Sequence, residues 1–128
     1  YSTGEWTASL DIRYSYLSSV DRTPDSYSFG QQIPYVAKHT VNVSLKGSWK
    51  GYTLTPEWIL KSARTDASGN LADWNTLDVS ISKTFDFGKS ISLSVNLTAR
   101  NLLDNRYELV SGYPMPGRNF LGGIEYSL

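Results

Sequence analysis

From Trp6 to Tyr16 every even residue is apolar or aromatic (Trp6, Ala8, Leu10, Ile12, Tyr14, Tyr16) and every odd residue is polar (Thr7, Ser9, Asp11, Arg13, Ser15). A period of two is a strand with one greasy face. The alternation outlasts the roughly five or six residues usual in globular strands and matches the roughly 9 to 11 that a tilted strand needs to cross a bilayer. No run of about 18 apolar residues occurs anywhere, which excludes a transmembrane helix. The negative mean hydropathy does not exclude a membrane, because a barrel strand shows only alternate residues to lipid.

Five more segments repeat the pattern. Val41, Val43, Leu45, Gly47 and Trp49 form the second greasy set, and Tyr52, Leu54, Pro56, Trp58 and Leu60 the third. Between them Lys50-Gly51 reads as a two-residue hairpin turn, which makes Trp49 and Tyr52 a cross-strand pair. Pro56 cannot donate to a ladder and Ile59 breaks the alternation, so a bulge or irregular pairing is expected in the third strand. The fourth set is Leu77, Val79, Ile81 and Phe85, with Lys83 on the greasy side near the turn end, where its ammonium can snorkel towards headgroups. Gly88-Lys89-Ser90 is a three-residue turn that keeps parity with the fifth set, Ile91, Leu93, Val95, Leu97 and Ala99. The last set is Phe120, Gly122, Ile124, Tyr126 and Leu128.

The connections alternate long, short, long, short, long: 18–34, 50–51, 64–73, around Gly88, and 101–117. Long loops at one rim and tight turns at the other are the mark of outer-membrane barrels. Aromatics gather where two interfacial girdles would lie, with Trp6, Trp49, Tyr52, Phe85, Phe87 and Tyr126 near the tight turns and Tyr14, Tyr16 and Tyr35 near the loops. The fold class expected is therefore all-β, an antiparallel up-and-down meander of six strands. Known single-chain barrels begin at about eight strands. Residues 1–128 are accordingly expected to be the wall of something larger, a fragment or one share of an assembly. The chain starts at Tyr1 without Met, basic n-region or apolar segment, so any export signal is expected upstream or removed.

Net charge is zero and the charges are scattered, which argues against nucleic acid as a partner. Cysteine is absent, excluding a disulfide scaffold and a thiolate ligand set. His39, the only histidine, nominates neither a metal site nor a triad and is read as a strand-start residue. Asp66, Ser68, Asn70 and Asp73 lack the spacing of an EF-hand and are read as a solvated turn. Glu57 and Asp78 are polar-face carboxylates that one sequence cannot place about 5 Å apart as an acid and nucleophile. The sequons at Asn42 and Asn96 fall in mid-strand and are read as polar-face residues. No catalytic residue, metal ligand or cofactor is nominated.

Asn101-Leu102-Leu103-Asp104 with Tyr107, then Gly112-Tyr113-Pro114-Met115-Pro116-Gly117-Arg118, then the terminal strand Phe120, Gly122, Ile124, Tyr126, Leu128, resembles the C-terminus of TonB-dependent outer-membrane receptors. The family usually ends in Phe, where Leu128 stands here. The resemblance implies the closing portion of a barrel of about 22 strands around an N-terminal plug. It also implies energy-coupled uptake of scarce chelates such as iron siderophores, haem or cobalamin, without covalent chemistry. Implied partners are outer-membrane lipid, the rest of the barrel and plug, the TonB complex through an N-terminal region, and a small chelate ligand. The terminal strand would also meet the outer-membrane assembly machinery by β-augmentation.

From the residues themselves, the proline-rich element reads as a tight entry to the final strand, with Pro114 and Pro116 fixing φ and Gly117 relieving the turn. Arg118 is expected to be buried on the lumen side against a carboxylate. Two competitors stand beside the receptor: a soluble β-barrel or sandwich binding carbohydrate or lipid, and an outer-membrane phospholipase or protease whose catalytic residues would lie upstream.

Overall fold

The computed structural model describes residues 5–66, 69–88 and 91–128. The described residues contain ten strands in chain order and no helix. Six of them, β1 (Thr7–Tyr16), β2 (His39–Trp49), β3 (Tyr52–Lys61), β6 (Trp74–Asp86), β7 (Ser92–Arg100) and β10 (Asn119–Ser127), form one antiparallel sheet in meander order. Two short ribbons, β4 (Arg64–Asp66) with β5 (Gly69–Leu71) and β8 (Glu108–Val110) with β9 (Tyr113–Pro114), sit inside the long connections.

Register carries the parity of the sequence through the whole sheet. Leu10 pairs with Leu45, Ile12 with Val43, Leu54 with Ile81, Ile81 with Leu97, and Leu97 with Gly122. A slip of one residue at any ladder would send that strand's greasy set to the other face. No such slip occurs, so one face is apolar from β1 to β10. The opposite face carries Ser48 with Thr53, Ser80 with Thr98 and Thr84 with Ser94, hydroxyl pairs hydrogen-bonded at 2.9–3.1 Å.

The tight-turn rim is set by local chemistry. Lys50 and Gly51 both have positive φ, 46° and 78°, the geometry of a primed hairpin turn. Trp49 and Tyr52 pair across it as expected. A Cβ on Gly51 would lie 2.8 Å from the Thr84 backbone oxygen. Gly51→Ala is therefore expected to cost about 1–2 kcal/mol, from the left-handed backbone and a clash with unyielding backbone; a denaturant midpoint equal to that of the parent would contradict it. Lys83 Nζ lies 4.2 Å from the Tyr52 ring centroid and donates to the Lys50 carbonyl, so its ammonium runs to the rim. At the next turn Phe87 N–H donates to Ile91 O at 2.9 Å, and positions 89 and 90 of the expected turn lie outside the described residues.

Pro56 has the effect expected of it, without a bulge. Pairing of β2 with β3 lapses between Ser44–Glu57 and Gly47–Leu54, yet the register is the same on both sides of the gap. The missing N–H removes a ladder hydrogen bond and nothing forces an extra residue into the strand.

The packing differs from that of a soluble domain. Leu71 is the single buried hydrophobic among the described residues, whereas Leu10 is 62% and Ile124 75% exposed. The other buried side chains, Arg64, Asp66, Thr76 and Asn101, lie beyond or at the loop end of the sheet. What core exists is at one rim, and nothing described covers the apolar face.

Candidate functional site

Two regions stand out: the apolar face and the interlocked loop rim. Across the face the side chains fall into rows. At the tight-turn rim Trp6 stacks on Trp49 at 5.4 Å, and Lys83 reaches both Tyr52 and Phe85. The middle rows are chiefly aliphatic, with Leu10, Leu45, Val79 and Ala99 in one and Leu54, Ile81 and Leu97 in the next. At the loop rim Tyr14 and His39 share a hydrogen bond of 2.8 Å, and Tyr16 lies 5.2 Å from the His39 ring. His39 is thus a member of the aromatic rim at the start of β2, and its backbone N–H is held by Ser62 Oγ.

Trp6 to Tyr16 is ten residue steps, or about 34 Å along the strand at about 3.4 Å per residue. Tilted by about 40°, that is about 26 Å along a membrane normal, against about 25 Å for the apolar band of outer-membrane barrels. Six strands at about 4.8 Å make the sheet roughly 29 Å wide across the strands, and with a strand length of about 34 Å the face covers roughly 1,000 Å². The largest apolar patch on a soluble monomer is about 300–600 Å².

The loop rim is built from the segments that carry chemistry in the sequence. Asn101, 4% exposed and with φ of 48°, turns the chain out of β7. Its Nδ2 donates to the Asn105 and Pro116 carbonyls at 2.9 and 3.2 Å, and its Oδ1 accepts Asn105 N–H at 3.1 Å. Its own N–H donates to Asp78 Oδ1, and Leu102 N–H to the Leu77 carbonyl. Asp104 Oδ1 accepts the Arg118 backbone N–H at 2.8 Å, and a Cβ on Gly117 would meet that same oxygen at 2.8 Å. Tyr107 stacks on Trp74 at 4.4 Å and its carbonyl accepts Met115 N–H. Partial burial, with Asp78 second, pushes the Tyr107 phenol above its ordinary pKa. Gly112 N–H donates to Glu108 Oε2, Pro114 pairs with Glu108, and Tyr113 is exposed. The motif is a hydrogen-bonded staple that carries the chain from β7 back to β10.

Arg118 corrects the sequence expectation. It is exposed, and what it offers Asp104 is its backbone N–H; the single ion pair among the described residues is Arg13–Asp11. The residue precedes β10 and lies outside its ladder, so its amide is free to bond Asp104. Phe120, Gly122, Ile124 and Tyr126 do share the apolar face of β10, while Leu128 follows its last residue.

The segment 64–73 is a second correction. Asn70 and Asp73 are exposed, as a solvated turn requires, but Asp66 is buried, its Oδ1 accepting Gly69 N–H and its Oδ2 Ser111 N–H, each at 2.9 Å. Arg64 Nη2 donates to the Glu108 and Leu109 carbonyls at 2.8 and 3.1 Å, and the Thr65 carbonyl accepts Tyr35 N–H. The β4–β5 hairpin thereby ties all three long connections together. Of the four residues weighed as a calcium loop, Ser68 lies outside the described residues, and no metal-holding group of three occurs among those described. Alternation of Arg64 and Asp66 about Thr65, followed by Gly69, was the available signal for a hairpin.

Glu57 and Asp78, which sequence left apart, are direct cross-strand partners on the polar face. Glu57 accepts from Asn42 Nδ2 and Asp78 from the Asn101 N–H. Their juxtaposition depends on the β3–β6 register, which a connection of undetermined shape conceals.

Within the first connection, Asp21 accepts from Ser28 Oγ, Thr23 N–H and Ser26 Oγ at 2.6–2.8 Å. These bonds, that from Ser28 foremost, hold its carboxyl well below the usual carboxylate range. A depressed folded-state value means the stabilisation is complete above the ordinary range, declines as pH falls below it, and is gone once pH has passed the lower value. The Asp21 carboxyl carbon resonance is therefore expected to stay that of the ionised form as pH falls to about 3, with Ser28→Ala moving the titration up towards about 3.9. Titration near 4 in the parent protein would contradict this.

Neither a protein-family model nor a curated protein matches the chain.

Proposed function

We propose that this sheet is a wall segment of an outer-membrane β-barrel, the closing portion of a receptor of the TonB-dependent kind, which takes up a scarce chelate such as an iron siderophore, haem or cobalamin. The observation that carries the reading is the uncovered apolar face, continuous over six strands and bounded by aromatic rows at both rims. Hydrocarbon satisfies such a face without a second layer, and the aromatic rows suit the headgroup boundaries. The interlocked rim then faces the outside and the tight turns the periplasm. β1 and β10 each have one open edge, which neighbouring strands of a larger wall would pair. The residues here contribute wall, loop surface and staple; transport itself is coupled through the plug and the TonB complex.

Fractionation and uptake test this in cells that express the full-length protein. It should sediment with the outer membrane, and deletion of its gene should abolish energy-dependent accumulation of a radiolabelled ferric chelate, haem or cobalamin. Recovery in the soluble fraction, or unchanged uptake of all three, would overturn it.

A further inference from the structure

Among the described residues, Lys83 is the one Asp, Glu, Lys or Arg that the six long strands place on the apolar face. It pairs directly with Tyr52 on one side and Val95 on the other. Its Nζ lies 4.2 Å from the Tyr52 ring centroid and 5.5 Å from that of Phe85. One of its three N–H groups goes to the Lys50 carbonyl. Lys50 brings a second ammonium to the same rim, 4.9 Å from the ring centroid of Trp49, the residue directly opposite Tyr52. Two cations thus sit over one cross-strand aromatic pair. Neither has a carboxylate partner among the described residues, and Asp86, the nearest acid along β6, belongs to the polar face with Ser92.

Beside Lys83 the face is recessed. A groove of about 340 Å³ runs from Tyr52, Lys83 and Phe85 at the rim to Ile81, Val95 and Leu97. Val95 is a short side chain between the Phe85–Leu93 and Ile81–Leu97 pairs, and its size leaves the dip. Ile81 and Leu97 belong to the middle rows, so the groove leads from the level of the ammoniums down the aliphatic part of the face. Cations held over aromatic rings at the head of an aliphatic channel match a phosphodiester that carries an acyl chain. An amine on the same headgroup would meet both ammoniums as a like charge.

We propose that this groove binds one anionic phospholipid, its phosphate at Lys83 with Lys50 beside it and an acyl chain along Ile81 and Leu97. The inference rests on the reading of the apolar face as lipid-facing and adds to it a place and a headgroup charge.

Native mass spectrometry tests it on the full-length protein, purified in detergent and offered equimolar dioleoylphosphatidylglycerol and dioleoylphosphatidylethanolamine. One phosphatidylglycerol should be retained about tenfold or more in preference to the amine lipid, each lysine contributing about fivefold. Lys83→Gln and Lys50→Gln should each lower that preference about fivefold; Lys50 lies outside the strands and keeps the test decisive should Lys83→Gln fail to fold. Lys83→Arg keeps the charge and should keep the preference, as should Lys46→Gln, which alters the polar face of β2. Val95→Phe fills the groove without changing any charge and should lower retention of phosphatidylglycerol. Insertion into vesicles of neutral phosphatidylcholine is measured in parallel. Failure to insert overturns the wall reading and the site with it. Insertion with equal retention of the two lipids, a preference that survives both Gln variants, or a lipid-free dimer that gives the face to a second copy, overturns the site alone.

Discussion

Leu45→Arg is expected to destabilise the protein in a phospholipid bilayer by about 2–4 kcal/mol, the cost of an Arg near the bilayer midplane on the lipid face of a barrel. Leu45 lies in the middle rows of the apolar face, paired with Leu10 and 44% exposed. Ser44→Arg, one residue away, enters the opposite face between Asp11 and Glu57. Its expected effect is within about 0.5 kcal/mol, as for a surface substitution. Depth supplies the sharper comparison. Val95→Arg at the tight-turn rim should cost only about 0–1 kcal/mol for depth, because the head reaches the interface, and up to about 1 kcal/mol more from the like charge of Lys83 directly opposite. Reversible denaturant unfolding in lipid vesicles measures all three. Equal penalties at Leu45 and Val95 would mean the face meets something other than a bilayer.

Asn101→Ala should be the most damaging change at the loop rim, costing about 3 kcal/mol. It removes three side-chain hydrogen bonds from groups packed around a residue that is 4% exposed, at about 1 kcal/mol or more each once the partners are orphaned. Ala must also adopt a φ of 48°, which disfavours any side chain that cannot bond locally. Asn101→Gly relieves the backbone and leaves the orphans, so it should recover about 1 kcal/mol. Asn101→Asp keeps the acceptor for Asn105 N–H, loses both Nδ2 donors and brings a second carboxylate near Asp78. Unfolding midpoints together with hydrogen exchange at Asn105 and Arg118 report the loss; the Asn105 amide should exchange faster in Ala and Gly than in Asp. An Ala variant as stable as the parent would show that the staple does not hold the rim.

The strands were legible because their chemistry is periodic and local. Trp6 to Tyr16 and Ile91 to Ala99 announce face and length without reference to any neighbour, and Lys50-Gly51 fixes a register because its turn type admits few residues. The loop rim was less legible because its bonds join residues far apart in the chain. Asp66 reads as a solvent residue until Ser111 is placed beside it, and Arg64 until Glu108 and Leu109 are. Arg118 misled because the cost of an Arg against lipid suggests a side chain turned to the lumen and a carboxylate, whereas the group that bonds Asp104 is its amide. The pairing of Glu57 with Asp78 required a register passing through a twelve-residue connection that contains its own hairpin. The network that joins Asn101, Asp104 and Gly117 could not be drawn from sequence, because its bonds reach across to Pro116 and Arg118.

The medium against the apolar face is decided most directly by single cysteines at positions 10, 11, 97 and 98, labelled with a membrane-impermeant thiol reagent in lipid vesicles and in detergent. Leu10 and Leu97 stand in the middle rows of the apolar face and Asp11 and Thr98 on the polar one. Lipid contact predicts that 10 and 97 are protected while 11 and 98 react. Equal reaction at all four positions, or protection of 10 and 97 in a protein that stays soluble without detergent or lipid, would contradict it.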